Sequence, residues 1–288
     1  MKKCFVFCLC MSLVVLFSAC KKDGVYIPKK KIQKIYKEEN GVKSLGEVWH
    51  WDGNLLSSID IYDNSVVYET NTFHYDGDRL ITVRNSYSYM TYSYNGERIK
   101  SLAYYFNGQE DPAMLTEYKF EGNKLSEMKL TIYNYSKELL NPLKYLMPQL
   151  SEKAEKVIES RANESKGIVV LTAKMNWSGH NVAEIETITE INEVVVDKTV
   201  TQNRHDNKKN PYYGLLCTTL GSDTPFASDY YNLNNTVFVQ NVNKDGSLGS
   251  SFNYEYLYED DYPVKASCKS QNPATGENRD YAYYYEYK

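Results

Sequence analysis

The side chains with the most obvious chemistry in this 288-residue chain are four histidines, six cysteines and 37 acids. His50 and His74 each stand between two aromatic residues, Trp49 and Trp51 in one case, Phe73 and Tyr75 in the other. Brought side by side they would offer two imidazoles to a transition metal, but no third ligand accompanies them, and they read as two solvated side chains. His180 sits at a turn and His205 in the polar run 203–210, neither beside a Ser or Cys nucleophile motif. Asp76-Gly77-Asp78 and Glu259-Asp260-Asp261 are acidic enough to attract Ca²⁺, yet they lack the ligand count of a dedicated loop and read as turns. No Gly-rich phosphate loop, G-x-S-x-G elbow or zinc-spaced Cys/His set occurs. The expectation is therefore no metal, no cofactor and no catalytic residue. The alternative is a glycoside hydrolase whose carboxylate pair is assembled by the fold, which a sequence does not reveal.

The cysteines carry a different message. Residues 1–20 run from Lys2-Lys3 through an apolar stretch, Cys4 to Phe17, to the small residues Ser18 and Ala19 and then Cys20. Basic, apolar and small-residue regions in that order form an export signal, and the apolar run is shorter than the roughly 20 residues of a permanent span. Leu16-Phe17-Ser18-Ala19-Cys20 resembles a lipobox, with Phe17 where Leu is commonest, so residues 1–19 are expected to be cleaved and Cys20 lipidated. Cys4, Cys8 and Cys10 leave with the signal. Cys217 and Cys268 remain, either as a disulfide or as two separately buried small residues.

Loss of Lys2 and Lys3 leaves 31 basic residues against 37 acidic ones, a charge of −6. That balance, with no basic cluster beyond the tether, argues against nucleic acid as a partner. Tyrosine accounts for 28 residues. A strand former with an apolar body and a wet tip, in such numbers, points to sheet with much half-exposed surface.

Five segments align on a glycine: 49–59, 73–83, 92–102, 118–128 and 175–185, with Gly53, Gly77, Gly96, Gly122 and Gly179 in register. Two residues before the glycine stand Trp51, Tyr75, Tyr94, Phe120 and Trp177; four before stand Trp49, Phe73, Tyr92, Tyr118 and Met175. Three after come Leu56, Leu80, Ile99, Leu125 and Val182; six after come Ile59, Val83, Leu102, Met128 and Ile185. Alternating aromatics, then an acid, amide or Ser before glycine, then a second apolar set, describe a β-hairpin whose glycine takes positive φ. Both aromatic columns are expected in the core. Residues 256–264 form a degenerate sixth copy lacking the glycine, and Tyr281, Tyr283, Tyr285 and Tyr287 share one face of a last strand. Between the fourth and fifth copies the hydrophobic period changes to 3.6, with Leu139, Leu143, Leu146, Leu150 and Val157 on one stripe, so a helical insertion is expected at about 137–165.

The aromatic-x-Tyr-Asp-Gly-x-x-Leu-x-x-Ile unit resembles the YD repeats of RHS-type shells. The whole chain, including Lys31-Ile32-Gln33-Lys34-Ile35, Lys209-Asn210-Pro211-Tyr212-Tyr213-Gly214, Leu233-Asn234-Asn235 and the Tyr-rich terminus, is similar to Bacteroidetes lipoproteins of unknown function, one family of which has a porin-like fold. The resemblance implies a fold and an outer-membrane address, periplasmic or surface-facing, but no activity. Glu127, Lys129 and Thr131 alternate with Met128, Leu130 and Ile132, and an outer face with such charges belongs in water rather than lipid. The expected fold is mainly β: an antiparallel meander of YD-like hairpins forming a soluble barrel or strongly curved sheet, with one helical insertion. Residues 1–19 are the signal, 20–30 a lipidated tether, and 31–288 a single domain.

For such a chain two functional classes compete. One is a non-catalytic envelope binding or scaffold protein, anchored to the membrane through Cys20, with glycan, peptide or another envelope protein as ligand; the other is the hydrolase above. The aromatics expected to face a ligand are Tyr87, Tyr89, Tyr230, Tyr231, Tyr281 and Tyr283.

Overall fold

The computed structural model describes residues 22–133, 168–215, 230–273 and 275–288. Cys20, Cys217 and the insertion expected to be helical lie outside these residues. Among the described residues the regular elements are all strands: β1 (Ile32–Glu39), β2 (Val42–Asp52), β3 (Leu55–Asp63), β4 (Val66–Asp76), β5 (Arg79–Arg84), β6 (Ser88–Asn95), β7 (Arg98–Phe106) and β8 (Met114–Glu121) in the first half. The second half continues with β9 (Lys124–Ile132), β10 (Val169–Ser178), β11 (Asn181–Ile191), β12 (Val194–Lys209), β13 (Asn234–Asn243), β14 (Leu248–Glu259), β15 (Tyr262–Asn272) and β16 (Glu277–Tyr287). Each pairs with its neighbours in sequence, and β1 pairs antiparallel with β16, so the meander closes into a 16-stranded barrel.

The five repeats are five hairpins with one geometry. Their glycines have φ between 55° and 61°, and the next residue in each is not left-handed, the pattern of a type II′ turn with glycine at its first central position. Residue −2 faces residue +3, as in Trp51 with Leu56 or Trp177 with Val182, whereas −3 faces +5, as in His50 with Ser58 or Lys119 with Glu127. One residue, at +4, is thus bulged out of every second strand. In an unbroken strand, positions +3 and +6 would point to opposite faces; the bulge turns both inward. Ser57 and Ser126, both at +4, donate their hydroxyls to the carbonyls of His50 and Lys119. The degenerate copy keeps the shift, between Leu257 and Tyr258, and holds Asp260 and Asp261 at φ 50° and 68°.

These turns, together with both ends of the barrel chain, lie at one end, the base. The other end, the rim, carries the turns at Asn40-Gly41, Asn64-Ser65 and Asn192-Glu193. Near the base a belt of hydrogen bonds joins one hairpin to the next. Tyr75 Oη donates to the Leu56 carbonyl at 2.9 Å, Tyr94 Oη to Leu80 at 2.5 Å and Trp177 Nε1 to Leu125 at 2.7 Å. Trp51 Nε1 to Ile32, Tyr256 Oη to Thr236 and Tyr287 Oη to Pro263 repeat the device at 2.8 Å. Trp51 and Trp177 are consequently half-buried rather than core: of the two columns it is the −4 one that supplies buried residues, Trp49, Phe73, Tyr92 and Met175, while its Tyr118 is half-buried. The reason is polar. The −2 indoles and phenols reach carbonyls at the barrel end, and Lys31, Arg79, Arg98 and Lys124 lie over the rings of Trp51, Tyr94, Phe120 and Trp177.

A 16-stranded barrel is too wide for its own inward side chains to fill. Here chain fills the base. Asp23 donates its backbone N–H to the Glu97 carbonyl at 2.8 Å, and its carboxylate accepts the Ile99 N–H at 2.9 Å. Gly24 accepts from Leu80 at 2.9 Å, and Tyr26, buried, donates to the Pro211 carbonyl at 2.6 Å. Lys30 then meets Asp260 at 2.8 Å and Lys31 the Gly53 carbonyl at 2.6 Å, so residues 22–30, part of the stretch 20–30 expected to be a tether, lie with Lys31 across the mouth. The connection after β12 enters beside them: Tyr212 and Leu215 are buried, and Tyr212 packs against Trp49 and Tyr285. Asparagines lock this connection in place. Asn232 accepts the Val182 N–H at 2.7 Å, Asn210 donates to the Asn232 carbonyl at 2.9 Å, and Asn234 donates to the Lys208 carbonyl at 2.9 Å.

Candidate ligand-binding rim

The inner wall changes character along the axis. Toward the base it is aliphatic and aromatic, whereas toward the rim β4, β11 and β12 turn polar residues inward: Glu69, Asn71, Thr187, Thr189, Asp197 and Thr199, all buried. Thr189 faces Asp197 and Thr187 faces Thr199 across the β11–β12 ladder. Glu69 accepts the backbone N–H of Ser86 at 3.3 Å and its hydroxyl at 3.0 Å, which ties the β5–β6 turn to β4.

At the rim the β15–β16 hairpin rises past its neighbour. The register of β1 with β16 stops at Glu39 opposite Tyr281, so Glu277 to Asp280 have no partner on the β1 side. The notch is a cleft of about 710 Å³ lined by Glu38 to Gly41, by Lys265 and Ser267 to Lys269, and by Asn278 to Ala282. Its charges are mixed, and two of its carboxylates are engaged: Lys37 lies 3.5 Å from Glu39, and Tyr284 donates to Glu38 at 2.7 Å. Just outside, Lys43 sits 3.9 Å above the Tyr284 ring and 4.7 Å above that of Tyr36. The remaining rim turns expose apolar side chains one by one: Val42, Val66, Tyr68, Tyr87, Val194 and Leu248.

Of the aromatics singled out by sequence, Tyr87 is exposed at this rim and Tyr89 lies below it on the outer wall. Tyr89 stacks on Tyr105 with centroids 4.8 Å apart, and Arg84 covers its other side at 5.1 Å. Tyr281 borders the cleft. Tyr230 and Tyr283 are core residues, and Tyr231 is packed against the core, where burial beside Tyr118 and Asp23 pushes its hydroxyl well above the ordinary range. Their position corrects the sequence reading. Tyr283 shares the inward parity of the last strand, and the Tyr230–Tyr231 segment belongs to the base plug, so a ligand outside the barrel does not meet them. The cleft residues Lys269, Arg279 and Asp280 carry no motif: Lys269 faces Asp280 across the β15–β16 ladder, and the greater height of this hairpin over β1 opens them to the cleft.

His50 Nε2 lies 2.7 Å from Asp60 on the outer wall, and His74 is exposed. Among the described residues no group of three or more His, Cys, Asp or Glu is placed to hold a metal. His205 sits where β12 bulges away from β13, and burial lowers its imidazole to about 4, against the opposing pull of Asp206. Asp206 caps this bulge by accepting from Tyr258 and from the backbone of Lys208 and Asn235. Cys268 is a buried free thiol, pushed up by burial while hydrogen bonds with Tyr281 and Tyr254 act in the other direction.

No family model matches the chain, and no curated protein matches it. Solved structures do. A porin-like protein from Bacteroides vulgatus ATCC 8482, determined at 2.80 Å, aligns with a TM-score of 0.55 at 11% identity over 90% of this chain and 99% of that one. A porin-like protein from Bacteroides uniformis ATCC 8492, at 2.32 Å, aligns with a TM-score of 0.35 at 9% identity over 89% and 98%. At such identity the first likeness shows the fold and no more: this chain is built as a porin-like barrel.

Proposed function

We propose that the protein is an envelope lipoprotein, anchored through Cys20 at the outer membrane, whose sealed barrel stands in water and binds an extended polar ligand, glycan or peptide, at its rim. The observation that carries this reading is the pairing of a plugged base with a charged wall. On the outer face Lys119, Glu127, Lys174 and Glu186 follow one another across β8, β9, β10 and β11, and Lys198 on β12 reaches Glu186 at 2.6 Å. A lipid-facing wall would need an apolar band about 25 Å tall, and each basic residue at the bilayer midplane costs about 2–4 kcal/mol. A conducting pore would need an open mouth, which Tyr26, Tyr212 and the crossing segment 22–31 occupy.

The rim supports binding rather than hydrolysis. Of its three lining carboxylates, Glu38 and Glu39 are engaged by Tyr284 and Lys37, which leaves Asp280 rather than a pair, and the exposed edge of β16 offers backbone donors and acceptors to an extended chain. The test is a glycan and peptide array probed with the Cys20→Ser chain and with Lys269→Ala/Arg279→Ala. A ligand retained by the first and lost by the second is expected. A ligand held equally by both places the site elsewhere, and turnover of a bound glycan would favour the hydrolase.

A further inference from the structure

We infer that the base of the barrel is its membrane-facing surface, held within about 10 Å of the lipid headgroups, and that the rim cleft is turned away from the membrane. The inference rests on the anchoring at Cys20 proposed above and adds an orientation to it. The determining observation is how early the chain is caught. Asp23 is already fixed to β7 by two hydrogen bonds, at 2.8 Å to Glu97 and 2.9 Å from Ile99, and Arg98 lies 3.4 Å from its carboxylate. Gly24 has no space for a side chain, since a Cβ there would stand 2.2 Å from Tyr94 Oη. Only Lys21 and Lys22 therefore separate the modified cysteine from the barrel, and three residues fully extended span about 10 Å.

The opposite end is out of reach. β4 runs 11 residues from rim to base. At about 3.3 Å per residue and a tilt near 40° the rim stands roughly 25–30 Å from the base. The apolar residues exposed at the rim, Val66 and Tyr68 among them, would suit an arrangement with the rim dipped into lipid, but an anchor caught at Asp23 cannot serve an upright barrel in that pose. The base has chemistry for a headgroup layer. Ile27, Tyr213 and Leu233 are exposed there, and apolar tips suit the headgroup boundary. The charges at this end are mixed, with exposed Lys22 and Lys29 alongside exposed Asp52, Asp76, Asp78, Glu97 and Glu121, so the orientation follows from the short anchor and not from the sign of the base.

The experiment uses the full lipidated chain in vesicles that carry a nitroxide on their headgroups, in a Cys217→Ala/Cys268→Ala background. A fluorophore is placed at Lys29→Cys, on the base, or at Lys244→Cys, in the β13–β14 turn of the rim. Quenching several-fold stronger at position 29 is expected. A spacer of about 20 Gly/Ser residues inserted between Lys22 and Asp23, with a reach of about 25 Å, is expected to remove most of that difference. Equal or reversed quenching, or a difference the spacer leaves intact, overturns the inference. Mass measurement of the N-terminal peptide separates the two levels: an unacylated Cys20 overturns the anchoring and the orientation together, whereas an acylated Cys20 with equal quenching overturns the orientation alone.

Discussion

At the scale of single residues, the belt near the base makes a sharp prediction because one member is missing. Phe120 occupies the position of Tyr75, Tyr94 and Trp177 but has no donor for the carbonyl of Ile99, its counterpart to Leu56, Leu80 and Leu125. Phe120→Tyr is expected to raise stability by about 0.5–1 kcal/mol, and Tyr94→Phe to lower it by about 1 kcal/mol, the net worth of one such bond. Urea melts of the two variants check both signs. Trp49→Ala, which empties a fully buried site, is expected to cost about 3–5 kcal/mol. The aromatic columns are legible in the sequence because they recur. Their unequal burial is not, since an indole N–H and a phenyl edge give the same apolar signal, while the carbonyl that separates them lies 14 to 52 residues away.

At the scale of the element, the hairpin can be read from sequence because its contacts are local, and its bulge is written there too. Apolar residues three apart within a strand, Leu56 and Ile59 or Leu80 and Val83, require an extra residue between them if both face inward. Gly77→Val is expected to cost about 1–3 kcal/mol, all of it from the φ of 61°, because nothing lies within 4 Å of a Cβ there. Thermal melts of the variant measure that cost. The irregular end of β12 supplies a pH test. His205 has its imidazole lowered from 6.5 to about 4, so the fold favours the neutral ring. The stability this contributes is whole above pH 6.5 and is lost as pH falls from there toward 4. After discount for partial exposure the loss is expected to be about 1 kcal/mol at the acid end. The urea midpoint of His205→Gln is expected to fall less than that of the unaltered chain between pH 7 and pH 5. Nothing in the polar run 203–210 announces this burial, because it depends on β13 and on Tyr258 of β14.

At the scale of the whole molecule, alternation along the strands gives an antiparallel meander, but closure depends on β1 meeting β16 from opposite ends of the chain. The plug is equally hidden, since the bond from Tyr26 to Pro211 spans 185 residues and no local pattern marks it. Sixteen strands alone would suggest a pore; the proposal of a sealed body beside the membrane rests on the plug and the charged wall. Incorporated into planar bilayers, the folded protein is expected to give no stable conductance, and steps of uniform size would contradict the plug. The partition of Cys20→Ser between membrane and buffer tests whether lipid alone holds the barrel at the membrane. On the proposed anchoring, a barrel with Lys119, Glu127, Lys174 and Glu186 on its outer wall needs no detergent once position 20 can carry no lipid. This variant is expected to leave the membrane fraction, to remain monodisperse in plain buffer and to keep its β-type circular dichroism. Retention of a folded variant in outer membranes after a salt wash, with release only by detergent, would contradict the proposal.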